Sequence, residues 1–156
     1  VTLDSKRLKD MGLTQTSIFL GAFPGDRVSH EKELEVSAVL LPKFDNLTAS
    51  QLANAPRMNL STTELNLGAF NGKKKLKGEI IIRNDGKQTL KIKNLQMFTV
   101  GLQVSLNKQN IKPGETAKLK ITAEQRQLKN ARYKPRVLMI TNDPNLPMGT
   151  IKIITE

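Results

Sequence analysis

The chain has 156 residues, of which 38% are hydrophobic and 25% charged, and its formal net charge is +11. This length fits one ordinary domain, or one domain with a fragment of another, and no stretch approaches the roughly 18–20 apolar residues of a membrane-spanning helix. The absence of cysteine excludes a disulfide, a thiol nucleophile and a thiolate metal site.

The positive charge belongs to the second part of the chain. Residues 1–55 contain six Lys or Arg and seven Asp or Glu, whereas residues 56–156 contain nineteen and seven. An excess of this size attracts polyanions, but it also keeps a β-protein in solution. Composition alone leaves both interpretations open.

Residues 1–42 predict two β-strands. An apolar run at 16–20 and an alternating run at 33–40 are separated by a loop that contains Pro24 and Gly25. Two strands alone bury too little apolar surface to offset the entropy lost on ordering them. We therefore expect residues 1–42 to pair with another chain or with a separate fragment of the same protein.

Residues 43–56 predict a linker with a short helix. Thr48 and Gln51 have the spacing of a capping box, in which each side chain satisfies a free backbone N–H at the helix start. Pro56 then ends the helix, because proline disfavours a helical residue before it.

Residues 57–156 predict a complete all-β domain. Alternating or apolar runs occur at 58–67, 76–83, 90–93, 102–106, 117–123, 137–140 and 150–154. The run at 137–140 is apolar on both faces, which is typical of a central strand. About seven strands in about 100 residues indicate an antiparallel β-sandwich of immunoglobulin type. Between the second and third runs, Asn84, Asp85 and Gly86 locally predict a hairpin turn.

The chain also contains an internal repeat. At a gapless offset of 120 residues, the triplet 18–20 aligns with 138–140, and Pro24 aligns with Pro144. This alignment predicts that residues 1–42 are the last two strands of a preceding, incomplete copy of the domain. A shorter match of residues 20–23 with 67–70 would instead make the segment a first strand.

Several motifs together resemble a known family. They are Lys9-Asp10-Met11-Gly12, Leu47-Thr48 with the segment 51–56, Leu67-Gly68, Asn84-Asp85-Gly86, the segment 111–115 and the segment 141–144. In order and spacing they resemble the tandem Ig-like repeat family of unknown function from Gram-negative cell-envelope proteins, which is related to Hydin-type and major-sperm-protein-like domains. The resemblance implies an exported protein of the periplasm or cell surface. It also implies that the turn at 84–88 crosses between the two sheets, whereas local reasoning predicts a hairpin.

No pattern predicts an enzyme, a cofactor site or a metal site. The single histidine, His30, lies in a polar loop without a second His or Cys, so we interpret it as a solvated residue. Ser29 or Ser37 could be combined with His30 and Asp26 on paper, but no strained nucleophile turn supports such a triad. The acidic residues form no spaced pair, and the glycine turns lack the pattern of a phosphate-binding loop.

The lysines give the strongest remaining functional signal. The candidate anion- or partner-binding face consists of residues that an Ig-like sandwich would place on two neighbouring strands: Lys73, Lys74, Lys75, Lys77, Lys118 and Lys120. Few aromatic residues accompany them, so nucleic acid is not the expected ligand. The sequence therefore predicts a non-enzymatic Ig-like module that contacts protein or glycan partners, with polyanion binding through this face as the alternative.

Overall fold

The computed structural model describes residues 2–8, 10–131 and 133–156, so Lys9 of the first family motif lies outside the described residues. It divides the chain into two compact units, Val1–Leu40 and Leu41–Glu156. The first unit contains strands β1 (Gly12–Phe19) and β2 (Glu33–Leu40), with short 3-10 helices at Ser5–Arg7 and His30–Lys32. The two strands predicted for this segment are present and pair antiparallel with each other, although β1 begins earlier than the predicted run.

The second unit is a β-sandwich preceded by a short helix, and its elements follow one another in chain order. They are α1 (Ala49–Ala53), β3 (Met58–Leu60), β4 (Glu64–Asn66), β5 (Lys75–Asn84), β6 (Leu90–Met97), β7 (Leu102–Leu106), β8 (Asn110–Ile111), β9 (Thr116–Glu124), α2 (Gln125–Leu128), β10 (Arg136–Thr141) and β11 (Met148–Ile154). The predicted all-β, Ig-like fold is thus confirmed. The capping box of α1 is present, since Thr48 accepts a hydrogen bond from the Gln51 N–H and Gln51 accepts one from the Thr48 N–H.

Two sheets form the sandwich. One has the strand order β4-β11-β10-β6-β8 and the other β3-β5-β9-β7. The buried core lies between them and is formed mostly by alternate residues of long strands: Ile80, Ile82, Leu90, Ile92, Leu102, Ile111, Leu119, Ile121, Val137, Met139, Ile151 and Ile153. Each large side chain that is fully buried contributes about 1.5–3 kcal/mol to folding, so this alternation is the main source of stability.

The first strand of the sandwich is divided between the sheets. The predicted run 58–67 forms β3, which pairs antiparallel with β5, and β4, which pairs parallel with β11 in the opposite sheet. Residues 61–63 make the change of sheet. Where β3 ends, the Ser61 N–H donates to the Ile81 carbonyl, and the Ser61 hydroxyl oxygen accepts a hydrogen bond from the Ile81 N–H. With the two-residue strand β8, this division gives more strands than the roughly seven that the alternation predicts.

The turn after β5 crosses between the sheets, which confirms the expectation from the family resemblance and corrects the local prediction of a hairpin. β5 belongs to the four-stranded sheet and β6 to the five-stranded sheet. The backbone of the turn is hydrogen-bonded to residues at the end of the linker and directly after it. The Asp85 N–H donates to the Arg57 carbonyl, and the Lys87 N–H donates to the Ala55 carbonyl. A Cβ atom on Gly86 would overlap the Ala55 and Arg57 backbone, so this close approach requires glycine.

Asn84 holds this crossing in place. Its side chain is fully buried, and its Oδ1 accepts hydrogen bonds from the Arg57 N–H at 3.2 Å and the Gly86 N–H at 3.0 Å. Its Nδ2 donates to the Gln88 carbonyl at 2.7 Å and to the Ile111 carbonyl at 2.8 Å. One carboxamide therefore connects the first residue after the linker, the turn and β8, with all of its hydrogen-bonding capacity in use.

We expect Asn84→Ala to destabilise the second unit by about 2–4 kcal/mol, because one buried and three partly buried hydrogen bonds to the backbone would be lost. Asn84→Asp is the matched variant: it retains the two accepting bonds but turns a carboxylate oxygen toward the Gln88 and Ile111 carbonyls. Chemical denaturation measures both, and Lys87→Ala, an exposed change in the same turn, serves as the control. Loss of stability in Asn84→Ala no greater than in the control would contradict the role assigned to this residue.

Candidate functional site

The predicted lysine face lies on the outer side of the four-stranded sheet. β5 and β9 are neighbours, with Lys77 opposite Thr122 and Glu79 opposite Lys120. Lys75, Lys77, Lys118 and Lys120 alternate with core residues along these strands and are exposed. Lys73 and Lys74 are also exposed, but they belong to the turn before β5. Four of the six predicted lysines thus share one surface, and two stand beside it.

Carboxylates neutralise part of this face. Lys75 lies directly opposite Glu124 and forms an ion pair with it at 2.5 Å, and Lys118 pairs with Glu79 at 3.2 Å. The Lys118–Glu79 pair is exposed and the Lys75–Glu124 pair is partly exposed, so each is worth at most about 1 kcal/mol. Neither Lys77 nor Lys120 has an acidic partner within salt-bridge distance among the described residues. Among the four lysines on β5 and β9, these two side chains are the cations available to a ligand.

An open depression of about 600 Å³ lies between these two lysines. Polar side chains from three adjacent strands line it, and they are Lys77, Glu79, Gln103, Ser105, Lys120 and Thr122. No sequence pattern points to Gln103 and Ser105, because only the pairing of β7 with β9 brings them here. Ammonium, hydroxyl and amide groups on a flat sheet can hold an oxyanion or a hydroxylated ligand, but Glu79 opposes strong anion binding.

Three further lysines lie on the outer surface of the five-stranded sheet. Lys91 and Lys93 of β6 and Lys152 of β11 are all exposed. Lys152 forms an ion pair with Glu64 at 2.7 Å, across the parallel pairing of β4 with β11. The net positive charge of the second unit is therefore distributed over both sheets.

The turn after β10 has a structural role. Asp143 is buried, and its carboxylate accepts hydrogen bonds from the Met58 N–H at 2.7 Å and the Asn145 N–H at 2.9 Å. Asn142 accepts from the Lys91 N–H and donates to the Thr89 carbonyl. No buried side-chain nitrogen or oxygen in residues 2–8, 10–131 and 133–156 lacks a hydrogen-bond partner. The polar residues inside the sandwich are thus engaged with its backbone.

His30 lies in the first unit, where its side chain is almost fully exposed. Its Nδ1 is 3.0 Å from Glu33 Oε2. Asp26, the acid of the triad that sequence analysis rejects, is instead bound by the Ala22 N–H at 2.9 Å and the Lys32 ammonium at 2.6 Å. Within the described part of the chain, no group of three His, Asp or Glu residues is arranged to hold a metal ion.

The contacts of Asp26 lower the pKa of its carboxyl below the usual value, mainly through the Ala22 N–H and secondly through Lys32. Because the folded pKa is depressed, these contacts stabilise the β1–β2 loop at neutral pH. Their stabilisation is lost as pH falls through the lowered pKa.

We expect an NMR titration to place the midpoint of Asp26 below that of an unperturbed aspartate. Lys32→Met should raise this midpoint only part of the way, because the larger contribution, from the Ala22 N–H, remains. Lys6→Met, a charge change elsewhere in the first unit, is the control and should leave it unchanged. A midpoint that returns to the unperturbed value in Lys32→Met would show that the backbone contact contributes nothing.

The sandwich, its split first strand and its outward polar faces define an Ig-like domain, and comparison with known proteins identifies the family. Residues 56–154 match the HYDIN/CFA65/VesB-like, Ig-like domain family, and the chain belongs to it. This result confirms the resemblance to Hydin-type domains. Membership indicates a structural or binding module in a family that is generally non-catalytic and compatible with extracellular or envelope proteins.

One solved structure resembles nearly the whole chain. It is the crystal structure of a protein of unknown function from Porphyromonas gingivalis W83, with 25% sequence identity and a TM-score of 0.70; the match covers 96% of this chain and 68% of that one. The CARDB domain of a Pyrococcus furiosus protein, solved with di-metal ions, is 14% identical over 72% of this chain and all of that one, with a TM-score of 0.28. No curated protein gives a significant match. The described residues contain no helix that could span a membrane.

Proposed function

We propose that this chain is a non-enzymatic binding or structural module of an exported cell-envelope protein, located in the periplasm or at the cell surface, and that it contacts a protein or glycan partner. Its family supports a module of this kind, and the polar groups buried in the sandwich are occupied by backbone contacts. The envelope location rests on the resemblance of its motifs to repeat proteins of that compartment.

The observation that carries the proposal is the hairpin of the first unit. β1 and β2 form a sheet of only two strands, and no third strand pairs with either among the described residues. Large apolar side chains of this unit are exposed, including Leu34 at 50% and Phe23 at 65%. Open strand edges beside apolar side chains favour contact with another polypeptide by strand addition. We propose that residues 1–42 make this contact with another chain or with a fragment of the same protein.

We expect a photo-crosslinking amino acid placed at Leu34 to form a covalent product in cells that produce the intact protein. The same probe at Lys93, an exposed position on the five-stranded sheet, is the control and should give little product. Mass spectrometry of the product identifies the partner, and cell fractionation reports the compartment. Equal crosslinking at both positions, or none at Leu34, would contradict the contact, and recovery from the cytosol would contradict the location.

A second candidate function is polyanion binding through the lysine face. It is supported by Lys77 and Lys120, which flank the depression without acidic partners within salt-bridge distance among the described residues. Acidic glycans are the ligand class that fits an extracellular module with few aromatic residues.

We expect, if this second function is present, that Lys77→Gln with Lys120→Gln weakens heparin binding and lowers the slope of its salt dependence by about 1–2. Lys91→Gln with Lys93→Gln is the matched control, because it removes the same charge from the opposite sheet. Affinity measured over a range of salt concentrations distinguishes the cases. An equal effect of both pairs would mean that heparin responds only to total charge.

A further inference from the structure

The hairpins β1–β2 and β10–β11 have the same hydrogen-bonding phase, which means that their hydrogen-bonded residue pairs fall at equivalent positions. One step beyond the Phe19–Glu33 pair, the Leu20 N–H donates to the Lys32 carbonyl at 2.9 Å. In the hairpin of β10 and β11, the Thr141 N–H donates to the Pro147 carbonyl, also at 2.9 Å. Hydrogen-bonded and non-hydrogen-bonded pairs alternate in an antiparallel ladder, so each of these bonds fixes the phase of its whole hairpin.

The phase determines which face of each hairpin carries the hydrogen-bonded pairs. In β10 and β11 these pairs include Val137 with Ile151 and Met139 with Gly149, whose side chains point into the core. In β1 and β2 they include Thr16 with Val36 and Ile18 with Leu34. The corresponding face of the first hairpin is therefore its apolar face, and its members are Thr14, Thr16, Ile18, Leu34, Val36, Ala38 and Leu40.

This phase corrects the register of the internal repeat. A gapless offset of 120 places Ile18 on Leu138, which lies on the face of β10 away from the core cluster. Aligning the bonds that close the hairpins, Leu20 with Thr141, instead places Ile18 on the core residue Met139. The correction matters because a slip of one residue turns every side chain to the opposite face. In the corrected register the side chains of the hydrogen-bonded pairs form the apolar face in both hairpins, so this face lies on the same side of each hairpin.

The second hairpin shows what its counterpart lacks. β10 has β6 antiparallel on its other edge, and β11 has β4 parallel on its other edge. We infer that β1 pairs with an antiparallel strand equivalent to β6, and that β2 pairs with a parallel strand equivalent to β4. This inference rests on the function proposed above. A sheet equivalent to β3-β5-β9-β7 then covers the apolar face.

The occupant that fits is an Ig-like repeat preceding this hairpin in the same polypeptide. β1 and β2 are the last strands of the first unit and precede the linker, just as β10 and β11 are the last strands of the second unit. The Porphyromonas gingivalis structure matches 96% of this chain but only 68% of its own, so a related chain continues well beyond the matched part.

The phase also identifies the backbone groups that would make the new bonds. The amides of β1 that point away from β2 belong to the non-hydrogen-bonded pairs and include Gln15 and Ser17. On β2, Ser37 and Val39 correspond to Lys152 and Ile154. Lys152 donates through its N–H to Thr63, and Ile154 accepts from the Leu67 N–H, which fixes β4 in place.

Amide hydrogen exchange in the 156-residue chain and in the natural polypeptide that extends to the preceding repeat tests this arrangement. We expect the Ser17 amide to exchange about 100-fold more slowly in the longer polypeptide, because an amide within a sheet exchanges only after local unfolding. Ser17→Pro should remove the protection of the hairpin in the longer polypeptide and leave the 156-residue chain unchanged. Ser17→Ala, which loses only the hydroxyl bond to Glu33, should retain it. Thr16→Pro, which interrupts the β1–β2 ladder itself, should disrupt both.

Four results would overturn the inference, and they separate it from the proposed function. If Gln15 and Ser17 exchange equally fast in both polypeptides while the Leu34 probe still crosslinks, a partner is present but does not add a strand to β1. If neither protection nor crosslinking occurs, both proposals fail. If the 156-residue chain alone sediments as a dimer with these amides protected, or if the natural polypeptide has no repeat before residue 1, the occupant is a different one.

Discussion

The sandwich depends on a carboxamide that is buried where the chain leaves one sheet for the other. A tight turn between paired strands satisfies its own backbone, but a turn that crosses between sheets leaves N–H and C=O groups without ladder partners. Asn84 supplies two donors and two acceptor positions at that point, and the groups it binds belong to three segments distant in sequence. The positions of the linker, β8 and the start of β6 relative to β5 follow from this one side chain.

Much of the fold could be predicted from the sequence because alternation reports burial directly. The strands that alternate most regularly, β5 and β9, appear within one or two residues of their predicted bounds. The hairpin predicted at Asn84 from local residues was wrong, because turn residues specify a reversal of the chain but not which sheet receives the next strand. That choice is made by Asn84, whose partners at Arg57 and Ile111 no local pattern reveals. The division of the first strand at 61–63 is hidden for the same reason.

The candidate site could be predicted only as a set of outward lysines. Alternation placed Lys77 and Lys120 on exposed positions, and the adjacency of β5 and β9 followed from the fold class. Whether Lys77 and Lys120 are available to a ligand depends on the register of β5 and β9, because a slip of one residue would place other side chains opposite Glu79 and Glu124. Ion pairing and the contribution of β7 to the depression depend on distances across strands, so they become visible only in three dimensions.

The two hairpins give an internal measure of what a covering sheet contributes. In the second hairpin Val137, Met139 and Ile151 are completely buried, because the opposite sheet packs on them. In the first hairpin Leu34, which occupies the equivalent face, remains half exposed. Each such side chain gains about 1.5–3 kcal/mol only when it is fully removed from water, and a two-stranded sheet cannot do this for itself. The residues of the first hairpin therefore have the pattern of a sandwich interior without the second layer that gives that pattern its stabilising effect, and this deficit is what an added repeat would remove.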